Sequence, residues 1–231
     1  MCGRFILTRP GEVIAEVFGL EAVPRIEPRY NIAPTQPIAI ARAAAAGRGR
    51  RELAHVHWGL IPPWARDPSI GSRTINARAE TVATKPSFRA AFRRRRCLVP
   101  ADGWYEWKRE DDGSRQPWLV RAADERLLAF AGLWERWSGP HGEEIESGTI
   151  LTCPPLPAIR DLHDRMPLVL SPSAWPAWLD PAIDDPSRLA DLLVPDPGLP
   201  VTRYPVSRRV NNPRNEGPEN IRPAGDGTGP P

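Results

Sequence analysis

Apolar and polar positions alternate along this chain in short runs, a period of two that favours strands over helices. Residues 36–43 and 53–60 read as strands joined by 44–51, a small, glycine-containing, basic stretch with the composition of a hairpin tip. In the second strand Leu53 and His55 share one face, and Ala54 and Val56 the other. Further strand-like runs follow at 97–99, 104–108, 118–121, 127–134, 148–153 and 167–170, separated by loops rich in Asp, Gly and Pro. Helical spacing is confined to brief segments. Thr8 is placed to cap a helix over 10–18, with Val13, Val17 and Phe18 on one side. Ser87 is placed to cap a second helix through Arg95, with Phe88 and Phe92 four positions apart. A third helix is expected over 156–162, and two more open on Pro172 after Ser171 and Pro186 after Asp185. Segment 21–37 is proline-rich and extended, and 62–73 is a loop carrying Trp64. The Gly- and Pro-rich stretch 223–231 reads as a disordered tail. With no internal repeat and no linker, the pattern predicts one β-rich α+β domain over 2–222.

Composition narrows the class. The 231 residues can bury one substantial core, and 41% hydrophobic content excludes a disordered chain. No apolar run reaches the length of a bilayer-spanning helix, and the Met-Cys-Gly-Arg-Phe start lacks a secretory signal's features. A soluble, intracellular protein with no membrane partner is expected. The three cysteines, Cys2, Cys97 and Cys153, are odd in number and widely spaced, so no disulfide framework follows. Cys97 and Cys153 sit among apolar residues and are expected in the core. The net charge of +3 excludes a bulk polycation but allows a local basic groove. The cations are nearly all arginine, suited to bidentate phosphate contact, although a codon bias toward Arg and Pro produces the same composition.

The candidate chemistry begins at Cys2. Release of Met1 would expose a free 1,2-aminothiol, whose amine condenses with an aldehyde and whose thiol then closes a five-membered ring. An α-amine ionises near ~7.7–8.0, so a useful fraction is neutral in the cell. The plain alternative is an ordinary second residue. Glu106, between aromatics in Gly-Trp-Tyr-Glu-Trp-Lys, is a candidate general acid/base if apolar walls raise its pKa. The alternative is a solvated strand carboxylate paired with Lys108. His163, beside Asp164 and Arg165, is either a proton shuttle or a histidine favoured by a helix end. Asn76 could orient an amine or carbonyl, or serve as a turn residue. A zinc site from Cys2, Cys97, Cys153 and His55 or His57 matches no metal spacing, so no metal and no cofactor are expected.

Seven motifs occur in order. They are the Met-Cys-Gly-Arg-Phe start, Tyr30-Asn31-Ile32-Ala33-Pro34, His57-Trp58-Gly59-Leu60-Ile61-Pro62, Ile75-Asn76-Ala77-Arg78-Ala79-Glu80-Thr81, Ala101-Asp102-Gly103-Trp104-Tyr105-Glu106-Trp107, His163-Asp164-Arg165-Met166-Pro167 within 159–170, and Pro205-Val206-Ser207 with Val210-Asn211. In this combination the chain resembles the SRAP (SOS response-associated peptidase) family over about residues 2–222. The resemblance implies mixed sheets forming a barrel-like core with short peripheral helices. It implies that Met1 is removed and that Cys2 is the nucleophile, with Asn76, Glu106 and His163 around it. The implied reaction is covalent capture of ring-opened abasic sites in single-stranded DNA as a thiazolidine on Cys2. Glu106 would shuttle protons and position the amine, Asn76 would hold the N-terminus, and His163 would assist ring opening and reversal. Arg4, Arg78 and Arg165 match positions that would clamp phosphates, and Pro34 and Trp64 an apolar edge on which a base stacks. A monomer bound to abasic single strands, in the cytoplasm and on the nucleoid, is the implied working form. The chain departs from the family pattern at Ala65, where a second aromatic is common, at Thr152-Cys153-Pro154-Pro155, and in the length of 67–73. Two other function classes remain: a thiol peptidase or N-terminal nucleophile hydrolase built on Cys2, and a non-catalytic single-strand-binding module.

Overall fold

The computed structural model describes residues 2–44 and 49–225. Among the described residues twelve strands form two sheets, with a few short helices beside them. The strands are β1 (Phe5–Leu7), β2 (Arg29–Ile32), β3 (Pro37–Ala43), β4 (Arg51–Trp58), β5 (Asn76–Arg78), β6 (Arg96–Ala101), β7 (Gly103–Arg109), β8 (Arg115–Ala122), β9 (Leu128–Ser138), β10 (Glu144–Cys153), β11 (Met166–Pro167) and β12 (Val201–Pro205). Helices α1 (Gly11–Phe18), α2 (Arg89–Arg94) and α3 (Trp175–Leu179) lie around them. The expected α+β class with a barrel-like core is what the chain adopts. Among the described residues no helix is long and apolar enough to cross a membrane.

The larger sheet runs β11-β10-β4-β3-β6-β9, and β9 also pairs with β10, so its central strands close on themselves. Closure leaves no free edge between β9 and β10. Inside the closed sheet lies β6, Arg-Cys-Leu-Val-Pro-Ala, every residue of which is buried. The long β9 is buried over its first six residues and alternates after that, serving the barrel first and the solvent boundary later. Close approach of strands sets one residue type: a Cβ on Gly132 would sit 2.9 Å from Cys97 Sγ and 3.2 Å from the Thr149 carbonyl. Cys97 and Cys153 are fully buried, as expected.

The smaller sheet runs β12-β8-β7-β1-β2, all antiparallel. It packs on the barrel through aromatic edges. Phe5 of β1 meets Trp58 of β4 with ring centroids 5.3 Å apart and Phe130 of β9 at 6.0 Å, and Trp104 of β7 meets Phe130 at 6.0 Å. Such edge-to-face pairs add about 0.5–1.5 kcal/mol each beyond their buried area. The N-terminal strand is thereby fixed at the seam of the two sheets.

Several local expectations are corrected. Thr8 does not cap α1. Its N–H and hydroxyl both donate to Asp102, at 2.5 and 2.9 Å, and Pro10 holds the cap position. Ser87 does not cap α2 either, which begins only after Phe88. The helix expected over 156–162 shrinks to a 3-10 turn at Pro157–Ile159, with Pro157 at its first position. The loop 62–73 contains a 3-10 turn, Pro68–Arg73, capped by the Asp67 carboxylate accepting from Ser69 N–H at 2.8 Å. The run 167–170 is strand-like at its ends: Met166–Pro167 pairs with β10, and Val169 bridges to Phe130 of β9. Part of the expected hairpin tip, 45–48, lies outside the described residues, although β3 and β4 pair in register up to Ala43↔Arg51. The end of the expected tail, 226–231, also lies outside them. Pro223 bridges to Val206, and the Ala224 N–H donates to the Pro205 carbonyl at 2.7 Å.

Candidate functional site

The path of β1 decides where Cys2 lies. Phe5 stands opposite Trp104 of β7, and the Tyr105 N–H donates to the Arg4 carbonyl at 2.9 Å. Continued one step on each strand, this antiparallel register carries the Cys2–Gly3 segment alongside Glu106. Cys2 is fully buried there. From the barrel side, Asn76 opens β5, which pairs in parallel with β10. The carbonyl of the preceding Ile75 accepts from the indole N–H of buried Trp58 at 2.8 Å. With its backbone so held, Asn76 donates from Nδ2 to the Cys2 carbonyl at 2.8 Å. Its Oδ1 is buried and accepts nothing among the described residues.

Electrostatics at this seam are dominated by burial. Glu106 is 3% exposed, and its carboxyl is pushed up to about 7, first by burial and further by the charge of Asp164. The Cys2 thiol is driven well above its ordinary range, by burial and then by the Glu106 charge. Burial thus disfavours the charged form of both groups, the thiol and the carboxyl. The Lys108 ammonium, the rival partner for Glu106, lies 4.0 Å from Asp161.

His163 arrives on the turn between Pro157–Ile159 and β11. Burial lowers its pKa, opposed by Asp164. Its Nδ1 lies 3.0 Å from the Arg165 N–H, which donates to it, and 2.7 Å from Asp164 Oδ1. The two contacts belong to different protonation states. A neutral Nδ1 accepts from Arg165, whereas a protonated one donates to Asp164. A histidine so placed can exchange its proton without moving its ring.

The five residues expected at the DNA are distributed unevenly. Arg78 ends β5 and is exposed. Arg165 is committed within the chain: its guanidinium forks onto Glu80 at 2.5 and 2.8 Å and donates to the Thr152 carbonyl at 2.5 Å. Arg4 is half-buried, donating to Asn31 Oδ1 and the Val210 carbonyl, both at 2.7 Å, and lies over the Trp107 ring. Pro34 is half-buried in the turn before β3, next to Thr35, whose φ of 69° is uncommon for a β-branched residue. Trp64 is 58% exposed. The chain thus brings Cys2, Glu106 and Asn76 together at one seam, with His163 coupled to it through Asp164. Sequence reading passes over Glu80, Asn31 and Asp164. Their only available signal was membership in the same motifs as Arg78, Tyr30 and His163. Among the described residues, no group of three or more His, Cys, Asp or Glu could hold a metal ion.

A family model described as SOS response associated peptidase (SRAP) matches residues 1–213. The abasic site processing protein YoqW of Bacillus subtilis is 43% identical over 224 residues, covering 96% of this chain and 99% of that protein. The abasic site processing protein YedK of Escherichia coli is 34% identical over 239 residues, covering 96% of this chain and 100% of that protein. A solved structure of a protein from Bacteroides thetaiotaomicron matches with a TM-score of 0.84 at 26% identity, covering 96% of this chain and 100% of its own.

Proposed function

The chain belongs to the SOS response associated peptidase family, and from that premise we propose that it processes abasic sites in DNA by covalent capture on Cys2. The single observation that carries the reading is the hydrogen bond from Asn76 to the Cys2 carbonyl, formed beside a carboxyl poised near neutrality. Cys2 is held by its own backbone, and Glu106 stands on the neighbouring strand β7.

The steps balance without a cofactor. Hydrolysis of the Met1–Cys2 bond frees the Cys2 amine. That amine adds to the aldehyde of the ring-opened sugar, and loss of one water leaves a Schiff base. The Cys2 thiol gives its proton to Glu106, its sulfur attacks the imine carbon, and the proton ends on nitrogen, closing a thiazolidine. Glu106 can take and return a proton at cellular pH because burial has brought it there. The open acceptor of Asn76 suits an N–H of the freed amine. His163 exchanges protons with the sugar hydroxyl during ring opening and reversal. Arg78 contacts phosphate directly. Arg4 adds positive field from its fixed position, Arg165 reaches phosphate only by exchanging its pairing with Glu80, and Pro34 and Trp64 offer the base-stacking edge. A monomer acting in the cytoplasm on single strands is the working form. Peptidase action is aimed at the chain's own first bond.

The test is to incubate the protein with single-stranded DNA carrying one abasic site, and in parallel with a peptide panel. A denaturation-resistant DNA band without peptide cleavage is expected. Turnover of peptides without a DNA band would favour a thiol peptidase.

A further inference from the structure

Strand β10 seats two residues of opposite charge side by side. Arg165 stands immediately before β11, and Glu80 lies in the turn after β5. The Ala79 N–H, next to Glu80, donates to the Thr152 carbonyl of β10 at 2.9 Å. The same carbonyl accepts from Arg165 Nη2 at 2.5 Å. From these positions Arg165 Nη1 and Nη2 meet the two carboxylate oxygens of Glu80 at 2.5 and 2.8 Å. A carboxylate gripped in this way presents its oxygens to the guanidinium as a phosphate does.

Two features mark the carboxylate as the member of the pair that can leave. The Arg165 side chain is 13% exposed and that of Glu80 47%, so the acid lies on the solvent side. Arg165 Nε is buried and has no acceptor among the described residues, so the fork leaves one donor of the cation unmet. Glu80 also feels the second arginine of its motif. The hydrogen bond from Arg165 holds its carboxyl below the ordinary range, and the charge of Arg78, exposed at the end of β5, adds to this. The carboxylate thus stands in the field of both arginines assigned to phosphate. An ion pair with one partner half in water holds back little free energy. A strand already anchored at the Cys2 seam presents its phosphate at high local concentration and can overcome that much, whereas a free anion arrives without such help.

We propose that Glu80 is a specificity-determining residue: its carboxylate occupies the phosphate position of Arg165 and yields it to a phosphate on an anchored strand, but not to a free anion. This rests on the reading that Arg165 meets a phosphate of the captured strand, and adds to it the residue that decides which phosphates are admitted.

Glu80→Gln keeps the shape and removes the charge. Reversible binding of an undamaged single-stranded oligonucleotide is measured for the parent, Glu80→Gln, Arg165→Ala and the double variant. Each is titrated in chloride and in inorganic phosphate at equal ionic strength, with thermal melts as folding control. Glu80→Gln should bind the strand about fivefold more tightly in chloride, roughly what a half-exposed ion pair withholds. It should lose most of that gain in inorganic phosphate, to which the parent responds little. Both effects should vanish in the Arg165→Ala background, where a general change of charge would persist. Glu80→Asp, one carbon shorter, should show the same changes to a smaller degree and gives a second reading where Glu80→Gln folds poorly. Weaker strand binding by folded Glu80→Gln would make Glu80 a support for Arg165 and overturn the proposal. Unchanged binding, or a tightening that persists without Arg165, overturns it as well. A parent that binds the strand but fails to crosslink an abasic one overturns the Cys2 reading alone, and the comparison of the four proteins still decides Glu80.

Discussion

Asn76 Nδ2 donates to the Cys2 carbonyl at 2.8 Å, joining residues 74 positions apart at the meeting of the two sheets. The bond needs an amide: aspartate in the same place could only accept. Asn76→Asp should therefore lower the crosslinking rate at saturating DNA by tenfold or more. It should cost about 1–3 kcal/mol of stability, because it leaves the partly buried Cys2 carbonyl without its donor. Single-turnover rates and chemical denaturation measure the two effects. A wild-type rate in a folded Asn76→Asp protein would remove Asn76 from the site.

Glu106 carries a pH signature. Its folded-state carboxyl is raised from about 4.5 to about 7 by burial. Between those values the folded chain keeps a proton that the unfolded chain has released, so stability falls as pH rises through the window. Glu106→Gln lacks this loss, and its stability advantage should grow to about 3 kcal/mol at most by the upper end of the window. The same substitution should slow crosslink formation and reversal by about 10²–10⁴-fold and abolish an inflection near neutral pH in the formation rate. Denaturation and rate profiles across the window test both halves.

His163 should weigh more on reversal than on formation. Its Nδ1 has an acceptor role toward Arg165 and a donor role toward Asp164, which suits repeated proton exchange. Transfer of His163→Ala protein from a preformed crosslink onto excess competitor DNA should be slower than transfer of the wild type. A variant that forms crosslinks slowly but releases them at the parental rate would reverse that assignment.

Arg78 and Arg165 should behave differently. Arg78 is exposed at the end of β5, so Arg78→Ala should weaken reversible binding and reduce the salt slope by about 0.7, with little change in the saturating rate. Arg165 holds Glu80 and Thr152, so Arg165→Ala should lower the melting temperature as well. Thermal melts and salt titrations of the two variants distinguish a surface contact from an internal tie.

Much of the site was legible because its residues sit in short motifs whose order survives folding. The strand content followed from alternation, and the fate of Cys97 and Cys153 from their apolar neighbours. What could not be read is where a polar side chain spends its hydrogen bonds. Thr8 looked like a helix cap, yet Asp102, distant in sequence, takes both its donors. Arg165 looked free for phosphate until Glu80 was seen across from it. Closure of the barrel through β9 and β10 is a long-range pairing that no local pattern encodes.

The central claim is that Cys2 itself becomes part of a ring with the sugar of an abasic site. Intact mass of the purified crosslink tests it most directly. The account predicts the chain without Met1, plus the abasic oligonucleotide, less one water, and no such species from Cys2→Ala. A crosslink of the same mass from Cys2→Ala after allowance for its missing sulfur, or one that retains Met1, would contradict it.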